Sequence, residues 1–159
     1  MNSRRYDFIL PLSSFILPTM FTVSREIDFC YGHRLLNYAG KCRHLHGHNG
    51  RLIITLQAAR LDEQGMVLDF SEIKHVVGGW IDENLDHRMV LNRTDPAVAV
   101  FQGMNEPLYL MDVNPTAENI ARLIFDVARE KGFPVTEVRL WETPLCCARY
   151  GPEPFADVQ

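Results

Sequence analysis

Alternating hydrophobic and polar positions predict two strands in the first half of the chain. Residues 21–29 and residues 48–60 both alternate with a period of two, which is typical of half-buried strands. The apolar positions of these two runs include Phe21, Val23, Ile27 and Phe29 in the first, and Leu52, Ile54 and Leu56 in the second. Polar segments with glycine follow each run, at residues 37–41 and 62–65, and they predict loops.

Helical spacing of apolar residues predicts two helices further along the chain. The first covers residues 71–85 and its buried stripe is Ile73, Val76, Val77, Trp80 and Ile81. Asp69 and Glu72 favour a capping box at its start, whereas the pair Gly78-Gly79 weakens it. The second helix follows Asn114 and Thr116, either of which can cap it, and ends before Gly132. Its apolar stripe is Ile120, Leu123, Ile124, Val127 and Ala128.

The remaining segments complete a predicted order of ββααββ. Residues 92–114 are expected to be irregular, apart from a short helix after Asp95-Pro96. Residues 135–141 and 146–150 predict a final pair of strands. This order indicates an α+β fold with a four-stranded antiparallel sheet and two helices on one face. We expect one domain over residues 20–151, a disordered extension over residues 1–19 and a loose tail over residues 152–159.

Composition narrows the class of protein. A chain of 159 residues with 47% hydrophobic content can bury the core of one globular domain. A net charge of −4 gives no basic footprint for nucleic acid, and no apolar run reaches the length of a membrane span. The four cysteines contain no Cys-x-x-Cys pair, which favours a reducing, cytoplasmic setting. Arg4 and Arg5 precede an apolar stretch, but two prolines interrupt it, which argues against a secretory signal.

Candidate chemistry is concentrated in three alternating histidines, His44, His46 and His48, with Cys42 just upstream. In a strand that rises about 3.3 Å per residue, the first and last of these histidines stand roughly 13 Å apart. Imidazole nitrogens must come within about 2.1 Å of a zinc ion to bind it. A straight strand therefore supplies two neighbouring ligands, and the third must come from elsewhere. The candidates for that third ligand are His33, His75 and His87.

Five motifs occur in order along the chain. They are Phe29-x-x-x-His33-Arg34-Leu35, Cys42-x-x-x-His46-Gly47-His48-Asn49, Leu85-Asp86-His87, Asn114-Pro115-Thr116-x-Glu118-Asn119 and Glu142-Thr143. Together they resemble the 6-pyruvoyl-tetrahydropterin synthase and 6-carboxy-tetrahydropterin synthase family, over residues 21–151. The resemblance implies the tunnelling fold (T-fold) and a homohexamer built from two trimers, with active sites shared between subunits.

The resemblance also implies a role for each matching residue. His33, His46 and His48 match the family's zinc ligands, which leaves His44 and His75 as non-ligands. The catalytic residues of the family are matched by Cys42, Asp86 and His87. Glu142 matches the residue that anchors the pterin, and Thr116 and Ala117 contribute to the same pocket. Lys41, Arg43 and Arg34 are candidates for contacts with phosphate, without assigned roles.

The function implied by the resemblance is that of a zinc-dependent lyase acting on a pterin triphosphate, 7,8-dihydroneopterin triphosphate. The queuosine branch of the family forms 6-carboxy-5,6,7,8-tetrahydropterin and releases acetaldehyde and triphosphate. The alternative product is the pyruvoyl compound of biopterin synthesis. The chain departs from the family at Gly50, where an aromatic residue is common, and at Cys30, Tyr31 and Gly32. A non-catalytic zinc- and pterin-binding paralogue and a purely structural zinc site therefore stay open.

Overall fold

The computed structural model describes residues 19–152. The predicted extension and tail lie outside the described residues, except for residues 19 and 152. Strand β1 (Phe21–His33) pairs antiparallel with strand β2 (His46–Ala58), and a loop with a short 3₁₀ turn at Lys41–Arg43 connects them. β1 continues four residues beyond its predicted end and β2 begins two residues earlier than predicted. These additional residues bring candidate metal ligands into the hydrogen-bonded part of the pair.

The sheet contains six strands, which corrects the predicted four-stranded layout. Strands β3 (Arg88–Asn92) and β4 (Leu108–Met111) were not predicted, whereas β5 (Val135–Thr143) and β6 (Cys146–Tyr150) form the predicted hairpin. The strand order is β4-β3-β1-β2-β5-β6. β3 runs parallel to both β1 and β4, so the sheet is mixed rather than wholly antiparallel.

The helices lie where the sequence predicts them, but a π-helical segment interrupts the first one. The first consists of α1 (Phe70–Ile73), a π-helical segment at Lys74–Gly78 and α2 (Gly79–Asn84). A short helix, α3 (Ala97–Gly103), follows Pro96 as predicted, and α4 (Ala117–Glu130) is the second predicted helix. Asp69 caps α1 through the amide of Ser71, and Thr116 caps α4 through the amide of Asn119.

One hydrophobic cluster lies between the sheet and the longer helical segments. Alternate residues of the central strands face it, among them Phe29, Leu52, Ile54 and Leu140. The helices contribute the predicted stripes, including Ile73, Ile81, Ile120 and Ile124, all of which are fully buried. The polar ends of β1 and β2 extend past this core, and the candidate site is located there. Within residues 19–152, every helix is too short or too polar to span a lipid bilayer.

Candidate active site

Three histidines meet where β1 ends and β2 begins. His33 and His46 are directly opposite each other in the antiparallel pair, and His48 is opposite Tyr31. Side chains at paired and alternate positions share one face of a sheet, so all three imidazoles lie on the same side. One ring nitrogen from each histidine lies within 4.8 Å of the other two. The third member of the cluster thus comes from a second strand, as the strand geometry required.

Backbone carbonyls fix the orientation of two of these rings. The Nδ1 atom of His33 lies 2.7 Å from the carbonyl oxygen of Pro115, and Nδ1 of His46 lies 2.7 Å from that of His44. A carbonyl oxygen only accepts, so each Nδ1 carries the proton and each Nε2 presents a lone pair. The two Nε2 atoms are 3.0 Å apart. Two facing lone pairs at this distance repel each other unless a cation binds both.

The histidine cluster therefore fits a metal ion. Ligand atoms about 2.0–2.1 Å from a tetrahedral zinc ion are about 3.3 Å from one another, close to the separation of the two Nε2 atoms. Burial lowers the pKa of His33, and the neighbouring His46 and His48 lower it further, although the carbonyl of Pro115 and the charge of Glu142 act in the opposite direction. The neutral imidazole that a metal requires is thus the favoured form.

A small pocket beside His33 brings together most of the other predicted residues. Its volume is about 150 Å³, and its lining includes His33, Cys42, Thr116, Ala117 and Glu142. The 3₁₀ turn positions Cys42, whose carbonyl oxygen accepts a 2.8 Å hydrogen bond from the amide of Leu35. Thr116 and Ala117 lie at the start of α4. One chain therefore supplies a candidate metal ligand, a thiol and a carboxylate around the same small space.

Tyr31 contacts this site from β1, a role that the sequence did not reveal. Its hydroxyl donates a 3.2 Å hydrogen bond to Oε1 of Glu142, and that oxygen lies 3.7 Å from Nε2 of His33. Burial raises the pKa of Tyr31 far above its ordinary value, and the charge of Glu142 adds to the effect. Tyr31 is therefore a neutral donor to an ionised carboxylate.

Asp86 and His87 form a separate pair after α2. Oδ2 of Asp86 accepts a 2.7 Å hydrogen bond from Nδ1 of His87, and Oδ1 accepts one of the same length from the amide of Cys30. Burial alone would raise the pKa of Asp86, but these hydrogen bonds outweigh it and hold the pKa below its ordinary value. His87 has a positive φ of 54°, a conformation that non-glycine residues rarely adopt outside special sites.

The Asp86–His87 pair does not share the Cys42 pocket. His87, whose side chain is 78% exposed, lines a larger cavity of about 660 Å³ that also borders His46 and His48. Its Nδ1 is bound to Asp86, so Nε2 is the nitrogen available for proton transfer. Within a single chain, the predicted catalytic residues are therefore divided between two cavities.

Two of the remaining polar candidates, Arg34 and His44, have other partners. Arg34, considered for phosphate, donates from Nε to Oδ2 of Asp95 over 2.7 Å and also contacts Oδ1, so its charge is already neutralised. His44 accepts a 3.3 Å hydrogen bond from Arg43, and His75 is exposed on the π-helical segment. Neither histidine belongs to the metal-competent cluster.

Comparisons with known proteins identify the family of this chain. The family model described as 6-pyruvoyl tetrahydropterin synthase matches residues 22–153. The chain belongs to this family. It is 39% identical over 134 residues to the 6-carboxy-5,6,7,8-tetrahydropterin synthase of Rickettsia bellii, covering 80% of this chain and 97% of that protein. The enzyme of the same name from Haemophilus influenzae is 31% identical over 139 residues, covering 82% and 99%.

Solved structures of similar proteins support the fold. An uncharacterized protein from Wolinella succinogenes superimposes with a TM-score of 0.71 at 28% identity, over 85% of this chain and 99% of that one. The 6-pyruvoyl tetrahydropterin synthase of Caenorhabditis elegans gives a TM-score of 0.63 at 26% identity, over 85% and 97%. The expected relationship to T-fold synthases is therefore confirmed, whereas the count and direction of strands differ from the prediction.

Proposed function

We propose that this protein is a zinc-dependent 6-carboxy-5,6,7,8-tetrahydropterin synthase that acts on 7,8-dihydroneopterin triphosphate in queuosine biosynthesis. Relatives with this name cover most of the chain. The observation that carries the proposal is that His33, a member of the three-histidine cluster, lines one pocket together with Cys42 and Glu142. This combination supports a lyase more than a structural metal site, because a structural site does not need an adjacent thiol and a carboxylate.

The residues of the chain have distinct proposed roles. His33, His46 and His48 would hold zinc, which supplies Lewis-acid polarisation of the substrate's side-chain hydroxyls when bound. Glu142 would accept hydrogen bonds from the amino group and ring N–H of the pterin, since an ionised carboxylate can accept two parallel donors. Thr116 and Ala117 would line the space beside it. These residues orient the substrate with its side chain towards the metal.

Proton transfer is assigned to Cys42, Asp86 and His87. Cys42, as its thiolate, would take a proton from substrate carbon and return it as the thiol, as its place in the pocket beside His33 allows. Nε2 of His87 would accept or donate a second proton. Asp86 would keep Nδ1 protonated and stabilise the charged ring, as a carboxylate does in other aspartate–histidine pairs.

We further propose a homohexamer of two trimers in which one subunit supplies Cys42 and another supplies His87. The exposure of His87 and its location in a different cavity from Cys42 support this division. Mixing the inactive variants Cys42→Ala and His87→Ala during assembly tests it. If sites are shared, random mixing restores about one quarter of the wild-type activity, because one site in four combines both intact residues. If no activity returns in verified mixed oligomers, the division is wrong.

The reaction itself is tested by mass spectrometry of the products from 7,8-dihydroneopterin triphosphate. The proposed function requires the 6-carboxy product together with acetaldehyde and triphosphate. A pyruvoyl product that retains all side-chain carbons, without acetaldehyde, would instead identify the alternative synthase, the activity after which the matching family is named. Binding of zinc and pterin without triphosphate release would identify a non-catalytic paralogue.

A cysteine variant pair tests the assigned base. Cys42→Ala should lose turnover while it keeps its zinc content, because the thiol is outside the three-histidine cluster. Cys147→Ala removes another thiol that lines the same pocket and donates to the carbonyl of Ala148, and it should retain turnover because Cys42 is the assigned base. All four cysteines are free, which agrees with the proposed cytoplasmic location.

A further inference from the structure

Gly50 and Tyr31 share one space on the buried face of the sheet. A methyl group added at Gly50 would lie 3.0 Å from Cε1 of Tyr31 and 3.4 Å from Cδ1 of Leu140. The first distance is shorter than an ordinary carbon–carbon contact, so the ring of Tyr31 occupies the volume that a side chain at position 50 would need. The absence of a side chain at Gly50 therefore allows the aromatic ring from β1 to enter the site.

The ring of Tyr31 is fixed on several sides. It stacks on Phe29 with 5.3 Å between ring centroids and packs edge-on against His33 at the same distance. His48 packs against it at 5.9 Å, and only 3% of Tyr31 is exposed. A buried ring with aromatic neighbours on several sides has little rotational freedom. The position of its hydroxyl is therefore determined by packing.

That hydroxyl determines the position of one carboxylate oxygen. Within residues 19–152, the bond from Tyr31 is the one side-chain hydrogen bond that Glu142 receives. The same oxygen, Oε1, lies 3.7 Å from Nε2 of His33. Oε1 lies close to His33 but outside the group of ligand atoms that are all within 4.8 Å of one another, so rotation of Glu142 towards the other two histidines would make it a fourth zinc ligand. Such a ligand would close the coordination position that a catalytic zinc site must keep open.

We propose that Tyr31 is a positioning residue that holds Glu142 ready for the ring donors of a pterin and prevents it from binding the metal. Its hydroxyl restrains Oε1, and the other lone pairs of the carboxylate stay available for the paired amino and ring N–H groups of the ligand. This inference rests on the proposed function, because it assumes that Glu142 receives the pterin. Gly50 contributes to this positioning, since a side chain there would displace the ring of Tyr31.

The variant Tyr31→Phe tests the proposal because it removes the hydroxyl and keeps the ring. Binding of unsubstituted pterin to the zinc-loaded protein, followed by calorimetry, should weaken about ten-fold, as expected for the loss of a hydrogen bond to a charged group. Zinc affinity, measured against a chromogenic chelator, should rise several-fold, because Glu142 is then free to bind the ion. The cobalt-substituted variant should show the changed visible spectrum of an additional oxygen ligand.

A matched variant and a double variant separate this role from general packing. Tyr150→Phe makes the same chemical change to a partly buried ring that packs on Phe125, and it should leave both affinities unchanged. In Glu142→Gln, the further change Tyr31→Phe should have little additional effect on either affinity, because the two residues act through one contact.

Two results would overturn the inference. Wild-type pterin affinity in a folded Tyr31→Phe protein would show that the hydroxyl does not position Glu142 for the ligand. Unchanged zinc affinity would show that it does not keep the carboxylate off the metal. Failure of the wild-type protein to bind pterin would count against the proposed function instead, and the zinc measurement would still decide the role of Tyr31.

Discussion

The Nδ1 atom of His33 donates a hydrogen bond to the carbonyl oxygen of Pro115 over 2.7 Å, although 82 positions separate the two residues in sequence. The bond joins the end of β1 to the turn that precedes α4. It also fixes the tautomer of the most buried histidine in the candidate metal site, since the proton on Nδ1 leaves Nε2 free to bind a metal. The turn at Pro115 thus holds His33 in the tautomer and orientation that a metal ligand needs.

Removal of this ligand should weaken metal binding severely. Loss of a residue that only supports a ligand typically costs 10–100-fold in affinity, so His33→Ala should lower zinc affinity by at least about 100-fold. Competition with a chromogenic chelator measures the change. His75→Ala, which removes an exposed histidine on the π-helical segment, should leave the affinity unchanged. Equal zinc affinities for both variants would contradict the three-histidine site.

Replacement of Asp86 should slow the reaction and leave the metal in place. An amide at this position no longer fixes the tautomer of His87, and loss of a positioned acid–base group typically costs about 10²–10⁴-fold in rate. We therefore expect a decrease in kcat of this order for Asp86→Asn, with zinc content unaltered. Asp82→Asn, an exposed change on α2, is the matched control and should keep wild-type kcat. A normal kcat for Asp86→Asn would remove the proposed proton relay.

The ion pair between Arg34 and Asp95 should matter for stability. The side chain of Asp95 is fully buried, that of Arg34 is 26% exposed, and Asp95 also accepts from the amide of Ala97 at the start of α3. Hydrogen bonds to charged groups contribute about 1.5–3 kcal/mol each, and exposure of Arg34 reduces the cost of leaving it unpaired. Asp95→Ala should therefore lower the free energy of unfolding by about 2–3 kcal/mol in urea titrations.

An exposed ion pair serves as the control for Asp95→Ala, and the pH dependence of stability provides a second test of the Arg34–Asp95 pair. Asp112→Ala breaks a contact with Arg93 in which both side chains are more than half exposed, and it should change stability by less than about 1 kcal/mol. The hydrogen bonds from Arg34 hold the pKa of Asp95 below its ordinary value despite burial. Its contribution is thus present above the pKa of the unfolded chain and is lost as pH falls through the lower folded value. A stabilising contribution that grew on acidification would contradict this assignment.

Gly79 offers a stabilising substitution. It begins α2 with ordinary helical angles of −58° and −40°, and an added methyl group would meet no atom within 4 Å. Gly79→Ala should therefore raise the free energy of unfolding by about 0.4–1 kcal/mol, mainly by restricting the unfolded chain. Gly65→Ala, at a φ of +82°, should lower it, because an alanine is strained there. Thermal unfolding of the two variants should show melting temperatures that move in opposite directions.

Period-two alternation and helical spacing were sufficient to predict the local elements that carry most of the core. β1, β2 and α4 were predicted because each repeats its pattern over at least nine residues. Strands β3 and β4 were missed because they have only five and four residues, and their short apolar stretches cannot be distinguished by alternation from buried loop or helix. The π-helical segment was also missed, since it is a change of hydrogen-bond register with no signature in residue type.

The metal ligands of the candidate site could be predicted from the sequence, whereas the contacts between distant residues could not. Strand geometry required a metal ligand from outside the His-x-His run, and the family motif matched that ligand to His33. The contact between Tyr31 and Glu142 could not be predicted, because 111 residues separate the two and it depends on the pairing of β1, β2 and β5. Gly50 was noticed only as a departure from the family, and the structure supplies the physical reason for it.

Gly50 and Tyr31 also constrain the order in which mutations can accumulate. A bulky residue at position 50 is excluded while the tyrosine ring is present, and truncation of that ring alone leaves an empty volume beside the metal ligands. Each single change is therefore harmful, whereas the paired exchange restores a filled site. A saturation library that varies one position at a time would score bulky residues at position 50 and small residues at position 31 as unfavourable, and only a combinatorial library would reveal the permitted path between the two arrangements.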